Sequence, residues 1–314
     1  MLSLSFDRPN RFGPSRSAVL TKQGMVVTSQ PLAALAGLDI LRQGGNAIDA
    51  AVAAAAMLNV IEPMSTGVGG DAFAIIYLAK SGKVRGLNAS GRSSYGATLE
   101  AYEQLLGGSS SDIPTDSLLA VTVPGTVDGW SRAVEECGRM TLAEVLAPAI
   151  RAAEEGFPVA PQTALTWREW QHALTQQPDS VKTWLVSPEG PPRAGEIFKC
   201  PSLARTLRVI AEGGRDAFYE GPIGQTIVRF SEQNGGLLIK ADFEDHQSNW
   251  VEPISVNYRG YDILELPPNG QGVAVLEALQ FLAQDDLASL GHNLPDTIHL
   301  QVEALKHALE DRKR

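Results

Sequence analysis

Between Gly44 and Tyr77 the chain joins an alanine-packed helix, a glycine-rich turn and an apolar strand, and that order constrains the fold more than any other stretch. From Ile48 to Val60, Ala50, Ala51, Ala53, Ala54, Ala55 and Ala56 combine high helix propensity with almost no bulk, so a neighbouring element can approach closely. Gly44-Gly45-Asn46 turns the chain and caps the helix start, and Glu62-Pro63 marks its far end. Thr66-Gly67-Val68-Gly69-Gly70-Asp71 supplies backbone free to take positive φ, and Ala72 to Leu78 reads as a buried strand. A dinucleotide fingerprint needs the reverse order, strand then glycine turn then helix, so that phosphate meets a helix N-terminus. That reading is excluded. On the residues alone, the stretch is a tight helix–turn–strand packing unit.

The 314 residues are enough for one large domain or two modest ones. A net charge of −10, with no Lys/Arg run except Arg312-Lys313-Arg314, argues against a nucleic-acid partner. Cys137 and Cys200 lie far apart without metal-ligand spacing and read as structural thiols. His172, His246, His292, His299 and His307 show no paired spacing, so neither a metal nor a cofactor is expected. No membrane span is visible, and the polar N-terminal residues lack the apolar core of a secretory signal. The expected location is cytoplasmic, or periplasmic or secreted if a leader is missing.

Met1 to Thr21 reads as an extended arm, Met25–Ser29 as a strand and Pro31–Gln43 as a helix. Phe73–Leu78 and Val84–Ala89 form a hairpin about Ser81-Gly82, and Gly107 to Asp116 is a polar loop. Helical patterns run over Ser131–Ala153, Thr163–Trp184, Leu203–Ile210, Ile223–Gln233, Val273–Leu282 and Ile298–Leu309. Trp167, Trp170 and Trp184 are read as packing into an apolar seam rather than forming a recognition face. Ile254–Tyr258 and Tyr261–Leu266 alternate as strands joined at Arg259-Gly260.

Collinear blocks along most of the chain resemble the large-chain half of the gamma-glutamyltranspeptidase family of N-terminal-nucleophile (Ntn) hydrolases. They include Gly24 to Ala33, the Gly44–Tyr77 stretch, Val123-Pro124-Gly125-Thr126-Val127-Asp128-Gly129-Trp130, Leu146 to Ile150, Asp216-Ala217-Phe218-Tyr219-Glu220-Gly221, Pro267 to Gly272 and Glu303 to Ala308. The resemblance implies an α+β fold, the αββα four-layer sandwich, with residues 1–314 as a single domain forming its larger, N-terminal part. In that family a precursor cuts itself, and the new N-terminal threonine of the smaller chain takes the acyl group of a gamma-glutamyl amide and passes it to water or an amine. No catalytic residue is therefore expected in this chain. The threonine should lie beyond Arg314, and the partners implied are the small catalytic chain and a small-molecule gamma-glutamyl or related amide. The rival expectation is a truncated, non-catalytic relative acting as a scaffold.

True transpeptidases of the family carry an arginine after the second strand that pairs with the substrate α-carboxylate. Here Asn88-Ala89-Ser90-Gly91-Arg92 puts Ser90 at that place and Arg92 two positions later, a form that resembles a transpeptidase-like branch close to the cephalosporin acylases. Ser90 and Arg92 are the candidate substrate-binding residues. Arg92 can swing into the pocket or remain a solvated loop arginine, and the sequence leaves both open. Asp71 reads first as a cap of its own turn and second as a group that orients a substrate amine. Asn269-Gly270-Gln271-Gly272 reads as a turn into a helix that approaches the active site in the resembled fold. Asp296-Thr297-Ile298-His299 looks like the family's cleavage junction but is read as a helix start, capped by Asp296 or Thr297.

Overall fold

A computed structural model describes residues 18–107, 112–186 and 190–312. Helix α1 (Pro31–Arg42) opens on Pro31, with Leu32 N–H donating to the Gln30 side chain. Helix α2 (Ala47–Ile61) opens on a capping box, in which Asn46 accepts from Ile48 and Asp49 N–H while Asp49 accepts from Asn46 N–H. The alanines act as expected. A Cβ built on Gly37 of α1 would lie 2.8 Å from the Ala50 carbonyl, so the two helices meet almost backbone to backbone.

The glycine turn then delivers β1 (Ala72–Leu78), which returns through Gly82 (φ 66°) into β2 (Lys83–Ala89). The hairpin is antiparallel, with Ala72 opposite Ala89 and Leu78 opposite Lys83. After α3 (Leu99–Leu105) and a 3₁₀ turn at Leu118–Ala120 come α4 (Thr126–Cys137) and α5 (Leu142–Glu155). A short ribbon, β3 (Phe157–Pro158) with β4 (Ile197–Phe198), brackets α6 (Pro161–Glu169), α7 (Gln171–Leu174) and α8 (Pro178–Trp184). Helices α9 (Pro201–Tyr219), α10 (Pro222–Gln233) and α11 (Lys240–Glu244) lead to β5 (Asn249–Val251), which joins β2 in a sheet of order β1-β2-β5. The chain continues through the hairpin β6 (Ile254–Tyr258) and β7 (Tyr261–Glu265), then α12 (Gly272–Leu282), α13 (Leu287–Leu290) and α14 (Pro295–Asp311). The main apolar core gathers α1, α2, α4, α5 and α9, including the fully buried Ile40, Val60, Val127, Leu146 and Leu207. A second, small cluster joins Ala274 and Ala278 of α12 to Ala304 and Ala308 of α14.

Several sequence expectations are corrected. The helical run over Ser131–Ala153 is two helices, because Gly138 closes α4 against Val134 O and the next amide, Arg139 N–H, turns to the buried carboxylate of Asp49. Thr141 and Glu144 then form a fresh capping box for α5. The Thr163–Trp184 run breaks at Trp170 and again before Pro178, whose ring cannot continue a helix. Trp167 is buried and packs edge-on against Phe198 (4.9 Å between centroids), and Trp184 lies over the same phenyl ring, whereas Trp170 is exposed and stacks on His172. Only two of the three tryptophans enter the seam. Neither Asp296 nor Thr297 caps α14. Pro295 takes the first helical position, and Thr297 Oγ1 donates back to Gly291 O at 2.6 Å. Met25–Ser29 belongs to no sheet among the described residues. Both cysteines are free thiols, Cys200 buried and Cys137 half-buried. The expected arm falls mostly on residues 1–17 and the expected Gly107–Asp116 loop partly on 108–111, outside the described residues.

Candidate functional site

The hairpin register determines the site. With Ala72 opposite Ala89, the next residues outward, Asp71 and Ser90, face each other at the open end of the β1–β2 pair. Asp71 does not cap its own turn. Its carboxylate spans the strand ends, accepting from Ser90 Oγ at 3.2 Å and Gly91 N–H at 3.0 Å. Asn269, in the loop between β7 and α12, donates from Nδ2 to Ser90 Oγ at 2.8 Å and accepts at Oδ1 from Asn88 Nδ2 at 2.9 Å. Asn88 Oδ1 in turn accepts from Ser90 N–H. An ionised carboxylate can only accept, so the Ser90 hydroxyl points its proton at Asp71, and the lone pair left over takes the Asn269 amide. Polarity is fixed along the whole chain of bonds.

A backbone brace holds both arms of this cluster. Gly125 and Thr126 N–H, at the start of α4, both donate to Gly70 O at 2.9 Å, and Val123 N–H donates to Arg92 O at 2.9 Å. The contacts are tight enough to demand glycine: a Cβ on Gly91 would lie 1.5 Å from Val123 O, and one on Gly125 would lie 2.1 Å from Ala89 O. Behind the brace, Tyr219 Oη donates to Pro124 O at 2.7 Å and accepts from Asp128 N–H, and burial pushes its phenol well above the usual range. Buried Asp128 accepts from Arg215 Nε at 2.8 Å and Ser248 N–H at 2.6 Å, while Arg215 Nη2 donates to His246 O at 2.6 Å. Burial likewise lowers the His246 pKa. Its ring stacks on Tyr219 and its Nε2 finds no partner among the described residues. The paired ions are shielded from water and each is also hydrogen-bonded to backbone, the arrangement that lets a buried pair hold its place.

Arg92 follows the cluster on a loop tied at both ends. Gly91 is pinned to Asp71, and Tyr95 N–H donates to Asp242 at 2.7 Å, with Tyr95 Oη bonded to Asp245, a bond that raises the Tyr95 pKa. The Arg92 side chain is exposed and meets no carboxylate at ion-pair distance among the described residues. Of the two sequence candidates, Ser90 is therefore drawn into the Asp71–Asn269 cluster, and Arg92 stands beside it as an unpaired cation on a fixed backbone. Sequence reasoning missed the cross-strand role of Asp71, the part played by Asn88 and the buried Asp128–Arg215–Tyr219 support. The Val123–Trp130 and Asp216–Gly221 blocks were the only signal for the last of these. Among the described residues, no cluster of three or more His, Cys, Asp or Glu could hold a metal ion, and no helix is long and apolar enough to cross a membrane.

Known proteins resemble this chain along most of its length. The family model for gamma-glutamyltranspeptidase matches residues 33–314. The glutathione hydrolase-like YwrD proenzyme of Bacillus subtilis is 39% identical over 299 residues, 95% of this chain and 56% of the relative. Among solved structures, the gamma-glutamyltranspeptidase of Helicobacter pylori superposes with a TM-score of 0.88 at 32% identity, covering 95% of this chain and 85% of that one. The cephalosporin acylase of Bacillus halodurans gives 0.87 at 43% identity, covering 98% and 57%. The chain spans about half the length of the curated relatives it matches. On sequence and on its helix-and-sheet fold alike, this chain belongs to the gamma-glutamyltranspeptidase family of Ntn hydrolases.

Proposed function

We propose that this chain is the large-chain portion of a gamma-glutamyltranspeptidase-like amidohydrolase, whose nucleophilic threonine lies on a companion chain. The threonine hydroxyl attacks the amide carbon and its own α-amino group takes the proton. The amine then leaves with that proton, and the acyl ester is released to water or to an acceptor amine. The observation that carries the reading is the clamped Asp71–Ser90–Asn269 cluster with the unpaired Arg92 beside it. At the place where transpeptidases carry their carboxylate-binding arginine, Ser90 is occupied by Asp71 and Asn269. Arg92 is the cation left to hold a carboxylate on the acyl group, which supports gamma-glutamyl and related dicarboxylic acyl amides as substrates. A planar guanidinium pairs with a carboxylate through two parallel hydrogen bonds, so an arginine on a fixed loop selects for orientation as well as charge.

An exposed sheet face supports a companion chain over the scaffold alternative. On β1, Phe73, Ile75 and Tyr77 all point outward and remain exposed, which is an apolar stripe that a complete domain would cover. Alone, the chain is inactive on this reading. The test is to co-express it with the C-terminal half that its relatives possess and to assay the self-cleaved complex on gamma-glutamyl, glutaryl and simple acyl amides. Amine release from one of these is the expected result, and a correctly cleaved complex silent across the panel would refute the proposal.

A further inference from the structure

Helix α4 begins without a capping side chain, and its first amides are taken by groups from elsewhere in the fold. Gly125 and Thr126 N–H share Gly70 O, the carbonyl just before Asp71, and Asp128 N–H goes to Tyr219 Oη at 3.2 Å. Tyr219 also reaches the other side of the helix start, donating to Pro124 O at 2.7 Å. One hydroxyl thus holds the chain on both sides of the bend, as donor to Pro124 and acceptor from Asp128.

The stretch so held, residues 123–128, is a wedge against the strand ends. Val123 N–H bonds to Arg92 O at 2.9 Å, and a Cβ on Gly125 would lie 2.1 Å from Ala89 O and 3.2 Å from Gly91 N. The wedge therefore grips the backbone on both flanks of Ser90 and, through Gly70 O, the turn that carries Asp71. Tyr219 is itself fixed. Its ring is buried, stacks on His246 with 5.2 Å between centroids, and has the Arg215 guanidinium 4.9 Å from its centre. Burial pushes the phenol above its usual range, so the hydroxyl keeps its proton and its donor role at neutral pH.

We infer that Tyr219 is a positioning residue for acyl-group selection: it sets the wedge, and the wedge sets the backbone from which Arg92 meets a substrate carboxylate. Tyr219 touches no substrate itself. The inference rests on the reading of Arg92 as the carboxylate-binding cation. A two-bond pairing of guanidinium with carboxylate depends on orientation, so a small shift of the Arg92 backbone weakens it while leaving the reacting amide where it was.

Tyr219→Phe tests this, because it keeps the ring and deletes only the hydroxyl. In the co-expressed complex it should raise KM about tenfold for an acyl amide bearing a carboxylate, with kcat and the KM of a simple acyl amide within about twofold. In an Arg92→Ala background it should raise KM no further, since the effect passes through Arg92. Amide hydrogen exchange over residues 123–128 reads the wedge without turnover and should quicken about tenfold in the variant, with α5 unchanged. An equal rise in KM for both acyl groups, a rise that adds to that of Arg92→Ala, or unaltered exchange over 123–128 overturns the inference. A wild-type complex that depends on Arg92 but is indifferent to Tyr219→Phe overturns it alone. A wild-type complex that is silent, or indifferent to Arg92→Ala, refutes the functional reading and the inference with it. If Tyr219→Phe does not fold, His246→Leu, which removes only the stacked ring, is read by the same cycle: a rise of about threefold that Arg92→Ala abolishes supports the inference, and an additive rise or none overturns it.

Discussion

The region around α4 and the unit made by the β6–β7 hairpin, α12 and α14 are finished to different degrees. Around α4 the backbone approaches within contact at Gly91, Gly125 and Gly129, the charged Asp128 is matched to Arg215, and the side chains form part of the large core. The C-terminal unit buries four alanines, while α14 turns Ile298, Val302, Leu305 and Leu309 outward at spacings that line up on one helix face. The first region pairs its buried carboxylate and packs its backbone within the chain. The second presents a stripe suited to something outside it. Cost of mutation should therefore fall on folding in the first and on association in the second.

The most damaging change is expected at the buried ion pair. Asp128→Ala takes the buried carboxylate away from both Arg215 Nε and Ser248 N–H and should cost about 3–5 kcal/mol in urea unfolding; a loss below about 1 kcal/mol would show that the α4 region is less self-contained than described. Gly91→Ala drives a methyl group into Val123 O and should cost about 3 kcal/mol. Arg92→Ala sharpens the comparison from the site itself. It should leave stability unchanged but raise KM of the assembled enzyme about 10–100-fold for an acyl group bearing a carboxylate, equivalent to about 1.4–2.8 kcal/mol. An equal rise for an acyl group without a carboxylate would remove Arg92 from substrate recognition.

His246 contributes a smaller, pH-dependent amount. Its folded pKa is lowered, so the unfolded chain binds the proton first as pH falls. The stability it lends is fully present above about pH 6.5, the ordinary histidine value, and is lost as pH drops from there to its folded pKa, at no more than about 1.4 kcal/mol per pH unit. His246→Asn should flatten that part of the stability curve. The smallest effect is expected on the open stripe: Val302→Ser with Leu305→Ser should move the isolated chain by less than about 0.5 kcal/mol yet weaken its association with the companion half.

The parts that were legible in the sequence are those governed by local rules. The alanine helix, the glycine turn and the two hairpins follow from propensity, periodicity and turn chemistry, and the structure has them at nearly the expected bounds. Two of the misreadings share a cause. Gly138 ends α4 because the next amide reaches Asp49, and Asp71 serves the opposite strand rather than its own turn. In both, the deciding partner is distant in sequence, and a window a few residues wide cannot contain it.

The sequence by itself determined the family, the order of elements and the presence of Ser90 and Arg92 after the second strand, because these depend on residue types at fixed spacings. Only the tertiary structure decided that Ser90 is held between Asp71 and Asn269 and that, among the described residues, Arg92 meets no carboxylate and Gly24–Ser29 joins no sheet. Hydrogen bonds and ion pairs act over a few ångströms of space regardless of separation along the chain, so their partners exist only once the chain has folded.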